Sequence, residues 1–519
     1  MKPPGHINRR GFLRLAGAGA VAPWLPAAPA RAAPAGPPPS FVPDLELALT
    51  AERAEVPLLP GAPTRVFRYR AEVLKGDPAS VQPLPGSYLG PILRVRRGQR
   101  IRVHFDNGLD EETIVHWHGL HVPAAMDGHP RYAVGPGGRY VYEFEVTNRA
   151  GTYWFHPHPH GKTGRQVYGG LAGLFLVQDD EEQAAGLPSG AYDIPLVIQD
   201  RRFTAGNQLQ YLGGGMGMMG MMDRMRGFLG ERILVNGRPG FTLDVATRAY
   251  RLRLLNGSNA RIYKLAWSDG TPLTVIGTDG GLLETPVTRA YVTLAPAERI
   301  ELWADFSGRR PGSELVLQSL PFSGTLPMGG MMGGMGNLAN GAPFPVLKLR
   351  VTRRARGRPA LPARLSGVTP ARPDAAVNRA RPRRFHLTMQ HMAWGINGRS
   401  FEMTTVAEDE TVRLGTAEVW EFINDGSGGR MGMMAHPIHI HGLQFRVIGR
   451  RIAPGLADAW RTLQAGFVDS GWKDTVLVMP GERVRVLLQF QDHTGLFLYH
   501  CHNLEHEDLG MMRNYLVRA

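Results

Sequence analysis

At four separate places in this chain two histidines stand one residue apart: His116/His118, His156/His158, His439/His441 and His500/His502. In an extended strand residues i and i+2 point to the same face, so each pair would offer two imidazoles side by side to one metal cluster. One such pair is a weak signal, because zinc hydrolases also use it, but four make a pattern. Cys501, the chain's single cysteine, lies inside the last pair and by the same alternation must face the opposite side of its strand. There the spacing Cys501-x4-His506-x4-Met511 brings a thiolate, an imidazole and a thioether back toward one point. His436, three residues before His439, can supply a second imidazole, and Met512 rivals Met511. Cysteine, two histidines and a weak axial methionine form the donor set of a blue-copper electron-transfer centre. Thiolate and thioether disfavour calcium and magnesium, and the trigonal set disfavours structural zinc.

The elements that must position these residues read as strands. Period-2 alternation with Gly/Pro punctuation recurs at Arg100 to Phe105, Arg139 to Val146, Arg299 to Asp305 and Arg483 to Phe490, and no long amphipathic helix competes. The expected class is all-β, built from sandwiches. The chain also repeats itself. Pro136-Gly137-Gly138-Arg139, Gly151 and His156-Pro157-His158 recur at the same offsets as Pro480-Gly481-Glu482-Arg483, Gly495 and His500-Cys501-His502. His116-Trp117-His118-Gly119-Leu120 matches His439-Ile440-His441-Gly442-Leu443. In the middle, Arg251 to Asn256 echoes Arg102 to Asn107, and Pro296-Ala297-Glu298-Arg299 supplies the same Pro-x-x-Arg turn. Leu265 and Trp267 stand there where His116 and His118 stand in the first repeat. Asn236-Gly237-Arg238 and Asn397-Gly398-Arg399 look like matching entries to the second and third repeats. The expected domains are 41–182, 190–352 and 383–519, joined by an Arg/Pro-rich linker at 353–382.

A length of 519 residues suits about three domains, and 43% hydrophobic with 20% charged residues is globular composition, neither disordered nor polytopic in a membrane. The net charge of +14 is local. Part lies in residues 1–32, and eleven arginines face the single acid Asp374 between positions 350 and 384. That stretch is rich in Pro and Ala, with only Phe385 at its edge, so it reads as a solvated linker and not as a nucleic-acid surface. Asn8-Arg9-Arg10-Gly11-Phe12-Leu13-Arg14, an apolar run from Leu15 to Leu25 and the small-residue site near Ala30-Arg31-Ala32 resemble a twin-arginine export signal too short to span a bilayer. The mature protein is therefore expected in the periplasm or secreted, without a membrane span, as a monomer.

His116-Trp117-His118-Gly119, Trp154-Phe155-His156-Pro157-His158, His436-Pro437-Ile438-His439-Ile440-His441-Gly442 and the run from His500 to Met512 resemble the four copper signatures of three-domain multicopper oxidases. The resemblance covers essentially the whole mature chain. It implies three consecutive cupredoxin-like Greek-key β-sandwich domains and four copper ions. Carried over position by position, it gives type 1 copper to His436, Cys501, His506 and Met511, and type 2 copper to His116 and His439. The type 3 pair would take His118, His156, His158, His441, His500 and His502. It further implies that electrons pass from type 1 copper through Cys501 into His500 and His502, and that four of them reduce O2 to water. Asp127, eleven residues after His116, and Glu507, beside His506, are the candidate proton relays. His104, His121, His129, His160, His386, His391 and His493 fall outside the pattern and are expected to be structural or exposed. A nitrite reductase would not need the type 3 ligands, and a non-catalytic scaffold of this fold would lack ligands that are all present.

The donor is read from methionines. Met216 to Met225 holds six in ten residues and Met328 to Met335 four in eight, with Met431, Met433 and Met434 just before His436. Interspersed glycines argue for flexible loops in the first two tracts, and thioethers suit Cu(I). The nearest resemblance is to periplasmic cuprous oxidases, then to bacterial laccases acting on phenols. One departure concerns the site between Met389 and Trp394. A Met/His-rich insertion found there in such cuprous oxidases is reduced here to Gln390-His391-Met392-Ala393.

Overall fold

The computed structural model describes residues 41–84, 86–212, 218–325, 338–367, 372–390, 393–426 and 433–519, with the backbone alone at 218–219. The export-like segment 1–32, the Met tract 328–335, His391 and Met431 lie outside them.

The described residues form six sheets in three consecutive pairs. In each pair the first sheet is built around a parallel couple followed by an antiparallel partner. Leu45–Val56 runs parallel to Arg100–Asn107, which pairs antiparallel with Arg139–Glu145. Asp193–Arg201, Ala249–Asn256 and Arg299–Asp305 repeat this in the middle, and Arg383–Gln390, Thr416–Ile423 and Glu482–Phe490 repeat it at the end. The second sheets share a parallel couple too: Ile92–Arg96 with Gly173–Gln178, Thr242–Ala246 with Phe344–Arg353, and Thr411–Arg413 with Met512–Arg518. The fold is thus all-β, three consecutive two-sheet sandwiches of one topology.

One asparagine recurs as a fastener in each. Asn107 donates to the carbonyls of Glu111 and Val134, Asn256 to those of Arg261 and Leu294, and Asn424 to those of Met434 and Val478. All three are buried, where an unmade backbone hydrogen bond would cost about 1–3 kcal/mol. Asn236-Gly237 and Asn397-Gly398 have left-handed φ at both positions, between +51° and +71°, as a two-residue hairpin turn requires.

Each sandwich has its own apolar core, and in the middle one Leu265 and Trp267 are part of it. The first and middle sandwiches are tied by a buried ionic cluster. Arg251 and Arg253 reach Glu182, Glu301 and Asp193, and Thr152 donates to Glu301. The Arg/Pro-rich stretch departs from a wholly solvated linker. Leu365 is buried in the middle core and Ser366 donates to the carbonyl of Leu283, because the chain must cross the surface of that sandwich.

Candidate metal centre

Strand pairing places the histidine pairs opposite one another. His116 lies across from His156 in the first sandwich, and His439 lies across from His500 in the third. All eight histidines of the four pairs are buried and meet between these two sandwiches. His116 Nε2 is 3.4 Å from His439 Nε2, His118 Nδ1 is 3.3 Å from His156 Nε2, and His500 Nε2 is 3.4 Å from His158 Nε2 and 3.1 Å from His441 Nε2. His502 lies beside His118 and His156, at ring-centroid distances of 5.1 and 5.2 Å.

The hydrogen bonds behind these rings say which nitrogens carry protons. His116 Nδ1 donates to the carbonyl of Asp127 and His439 Nδ1 to that of Asp474. His156 Nδ1 donates to the carbonyl of Pro157, His500 Nδ1 to that of Cys501, and His441 Nδ1 to Asp127 Oδ2 at 2.8 Å. His118 is turned the other way, donating from Nε2 to Asp474 Oδ1 at 3.1 Å. With these tautomers assigned from the network, three close N···N pairs set lone pair against lone pair in a buried space, and both ring nitrogens of His502 lack a partner. Burial, reinforced by neighbouring imidazoles, holds His118, His156, His158, His439, His441 and His502 well below the usual histidine range, so protons do not relieve the repulsion. A cation between the rings does, and imidazole donors suit copper.

The second cluster lies on the other face of the same strand. Cys501 Sγ is 3.4 Å from His436 Nδ1 and 3.7 Å from His506 Nδ1, and the two imidazole nitrogens are 3.2 Å apart. His506 stacks on Trp394 at 4.2 Å, and its Nε2 donates to the carbonyl of Met225, which leaves Nδ1 as a lone pair. Met511 shares the apolar cluster of Cys501, whereas Met512 packs with Phe401 and Leu498. Burial raises the Cys501 thiol far above its ordinary value. A soft cation would be needed to hold it as thiolate.

Asp127 and Glu507 flank the histidine cluster, both fully buried. Asp127 Oδ2 accepts from His441 while its Oδ1 has no hydrogen-bond partner, and burial pushes its carboxyl up. Glu507 Oε2 is 3.1 Å from His500 Nδ1 and Oε1 is 3.6 Å from His158 Nε2. Of the histidines outside the pattern, His104 pairs with Glu46, His121 with Asp492, and buried His129 donates to Asn514. His160 is exposed.

One expectation about the surroundings changes. The methionine tract is not a loop throughout: Met218–Arg226 is an α-helix. Methionine is a good helix former, the one internal glycine, Gly220, costs only about 1 kcal/mol, and docking repays it. Met225 is buried in the third sandwich's apolar cluster, and the backbone N–H of Phe228 donates to Glu505. Glu505, which spacing did not single out, also accepts from Tyr211 and Asn259, and burial pushes its carboxyl up to about 7. Asp474 and Trp394 were likewise invisible to spacing. Trp394 reaches the site from another strand and Asp474 from the bend just before Thr475–Val478, and only a β-register argument placing Thr475 across from His439 could have found Asp474.

Comparison with known proteins settles the family. Models described as multicopper oxidase match residues 66–182 and 376–519. A laccase of Bacillus stratosphericus is 34% identical over 478 residues, covering 82% of this chain and 89% of that one. The chain belongs to the multicopper oxidase family. Among solved structures, the McoA multicopper oxidase of Aquifex aeolicus superposes with a TM-score of 0.76 at 36% identity, covering 92% of this chain and 97% of that one. The cell division protein FtsP of Xenorhabdus nematophila is also similar, 30% identical with 83% and 84% of the two chains covered. As a multicopper oxidase the protein is an oxidoreductase that uses copper. No helix among the described residues is long and apolar enough to cross a membrane.

Proposed function

We propose that this multicopper oxidase takes electrons one at a time from a small reduced donor, cuprous ion in preference to a phenol, and uses four of them to reduce O2 to water. His436, Cys501, His506 and Met511 would hold type 1 copper, and His116 and His439 type 2 copper. His118, His156 and His502 would hold one type 3 ion, and His158, His441 and His500 the other. Bound there, copper supplies the one-electron redox chemistry and the electrons for O2. The protein supplies the rest. Cys501 lies between His500 and His502, so one strand joins the two clusters covalently. Asp127, which accepts from His441, and Glu507, beside His500 and His158, would hold protons for the four that O2 reduction consumes. The residues at the N-terminus support export by the twin-arginine route and action in the periplasm or outside the cell.

The observation that carries this reading is the set of facing imidazole lone pairs beside a Cys/His/His/Met cluster. The complete donor set argues against a non-catalytic scaffold. For the donor, the methionine helix seated on His506 carries the argument. The backbone carbonyl of Met225 covers the imidazole edge of His506 at 3.1 Å, where a phenol would otherwise approach, while exposed Met221 offers a thioether to a soft ion. The short Met389–Trp394 connection favours the phenol reading instead. Copper content per chain and parallel steady-state kinetics with Cu(I) and a simple phenol test both levels. Four coppers and a higher kcat/KM for Cu(I) are expected, and a preference for phenol would make the protein a laccase.

A further inference from the structure

The Pro-x-x-Arg turn occurs once in each repeat, yet its arginine has three different fates. Arg139 is exposed and pairs with Asp106, the residue directly across from it in the sheet. Arg483 is half-exposed and lies 3.7 Å from Asp425. In the middle sandwich the residue across from Arg299 is Leu255, so no acid is available at that position. Arg299 is instead fully buried and turned out of its own sandwich.

All five of its N–H groups are used. Nε donates to the carbonyl of Thr152 on the first sandwich's Gly151–Pro157 strand. Nη1 donates to the carbonyl of Ala297 and to Asp474 Oδ1 at 2.7 Å, and Nη2 to the carbonyl of Asp279 and to Asp474 Oδ2 at 2.5 Å. The guanidinium thus grips both carboxylate oxygens of Asp474 in a planar fork. Asp474 in turn accepts from His118 Nε2 at 3.1 Å and from Thr475 Oγ1 at 3.0 Å, and its backbone carbonyl accepts from His439 Nδ1. Gly119, next to His118, has φ of +85°, and a Cβ there would collide with this ion pair. The space is shaped around it.

We propose that Arg299, supplied by the middle sandwich, is a positioning residue of the histidine cluster: by fixing the Asp474 carboxylate it compels His118 to present Nδ1, where its neighbours present Nε2, toward the copper site. The inference rests on the multicopper reading above. A carboxylate free to rotate would let the His118 ring turn over, which moves its lone pair out of the cluster. Partners of this kind typically alter metal affinity or activity about ten- to a hundredfold when lost. The middle sandwich, which contributes none of the eight cluster histidines, would then control the cluster through one arginine.

The test compares copper-loaded wild type with Arg299→Met and Arg299→Lys. Three properties are measured: blue absorption, cluster copper affinity, and the fraction of copper silent in electron paramagnetic resonance because two ions are coupled. Blue absorption should be unchanged in both variants, since Cys501 lies on the other face of its strand. Arg299→Met should lose the silent fraction and bind cluster copper about tenfold or more weakly. Arg299→Lys, which keeps the charge and loses the fork, should fall in between. A wild-type silent fraction and affinity in Arg299→Met overturn the inference even if its Tm drops, because a plain interdomain tie would do only that. Should Arg299→Met fail to fold, Arg299→Lys decides alone, and wild-type behaviour there overturns it. A wild type with no silent fraction overturns the multicopper reading itself.

Discussion

Met511 shows what a single side chain does and how far spacing could identify it. The x4 interval favoured it over Met512, and the packing separates the two, Met511 lying with Cys501 and Met512 with Phe401 and Leu498. Replacing the axial thioether by Leu removes a weak donor that favours Cu(II). Met511→Leu should therefore keep copper and raise the type 1 potential, whereas a shift seen only in Met512→Leu would move the role to that residue. A second residue-scale prediction concerns His129, which burial holds at about 4 against an ordinary 6.5. Its Nε2 donates to Asn514 and its Nδ1 accepts from the backbone of Arg131, which fixes the neutral ring. Between pH 6.5 and 4 the unfolded chain binds this proton and the folded one does not, so stability falls as pH falls through that window, by roughly 3 kcal/mol. His129→Gln should flatten that acid limb in pH-dependent denaturation; an unchanged slope would assign the acid sensitivity elsewhere. The cluster histidines were legible because alternation within one strand fixes their direction. Asp474 and Arg299 were not, since their meaning depends on contacts made between sandwiches.

At the scale of elements, the Met218–Arg226 helix is not legible in the sequence, because the tract's glycines favour a loop and only docking against the third sandwich favours a helix. Its C-terminal carbonyls meet the Cys501–Met511 loop: Met225 accepts from His506, and Arg226 accepts from Asn503. Substituting Leu at Met221, Met222 and Met225 keeps helix propensity and apolar volume while deleting soft ligation. If the helix passes cuprous ions to His506, kcat/KM for Cu(I) should drop by more than about tenfold, the scale of a lost metal partner, with phenol oxidation steady or faster. Equal losses for both donors would instead make the helix a plain lid. The strands were read more securely, with Arg299–Asp305 recovered to the residue. There the sequence pattern located the strand but not its burial, since every residue from Arg299 to Ala304 is buried and only Asp305 is exposed.

At the scale of the molecule, the two clusters differ in what they join. His436, Cys501, His506 and Met511 all belong to the third sandwich, whereas the histidine cluster takes four rings from the first and four from the third. Metal in that cluster is thus a cross-link between sandwiches, joining residues such as His116 and His439 that lie 323 apart in sequence, while metal beside Cys501 braces one core. Binding to the folded state alone stabilises by RT ln(1 + [L]/Kd), about 4 kcal/mol at a thousandfold excess over Kd, and only the cluster's share opposes separation of the sandwiches. Chelation of all copper should therefore lower Tm and split the calorimetric transition. It should also expose the arginines between 353 and 382, already at the surface for the most part, to faster tryptic cleavage. Cys501→Ser, which removes only the type 1 site, should lower Tm modestly and keep one transition. A single, equally shifted transition in both samples would mean that the ionic ties of Arg251, Arg253 and Arg299 hold the three sandwiches together without metal.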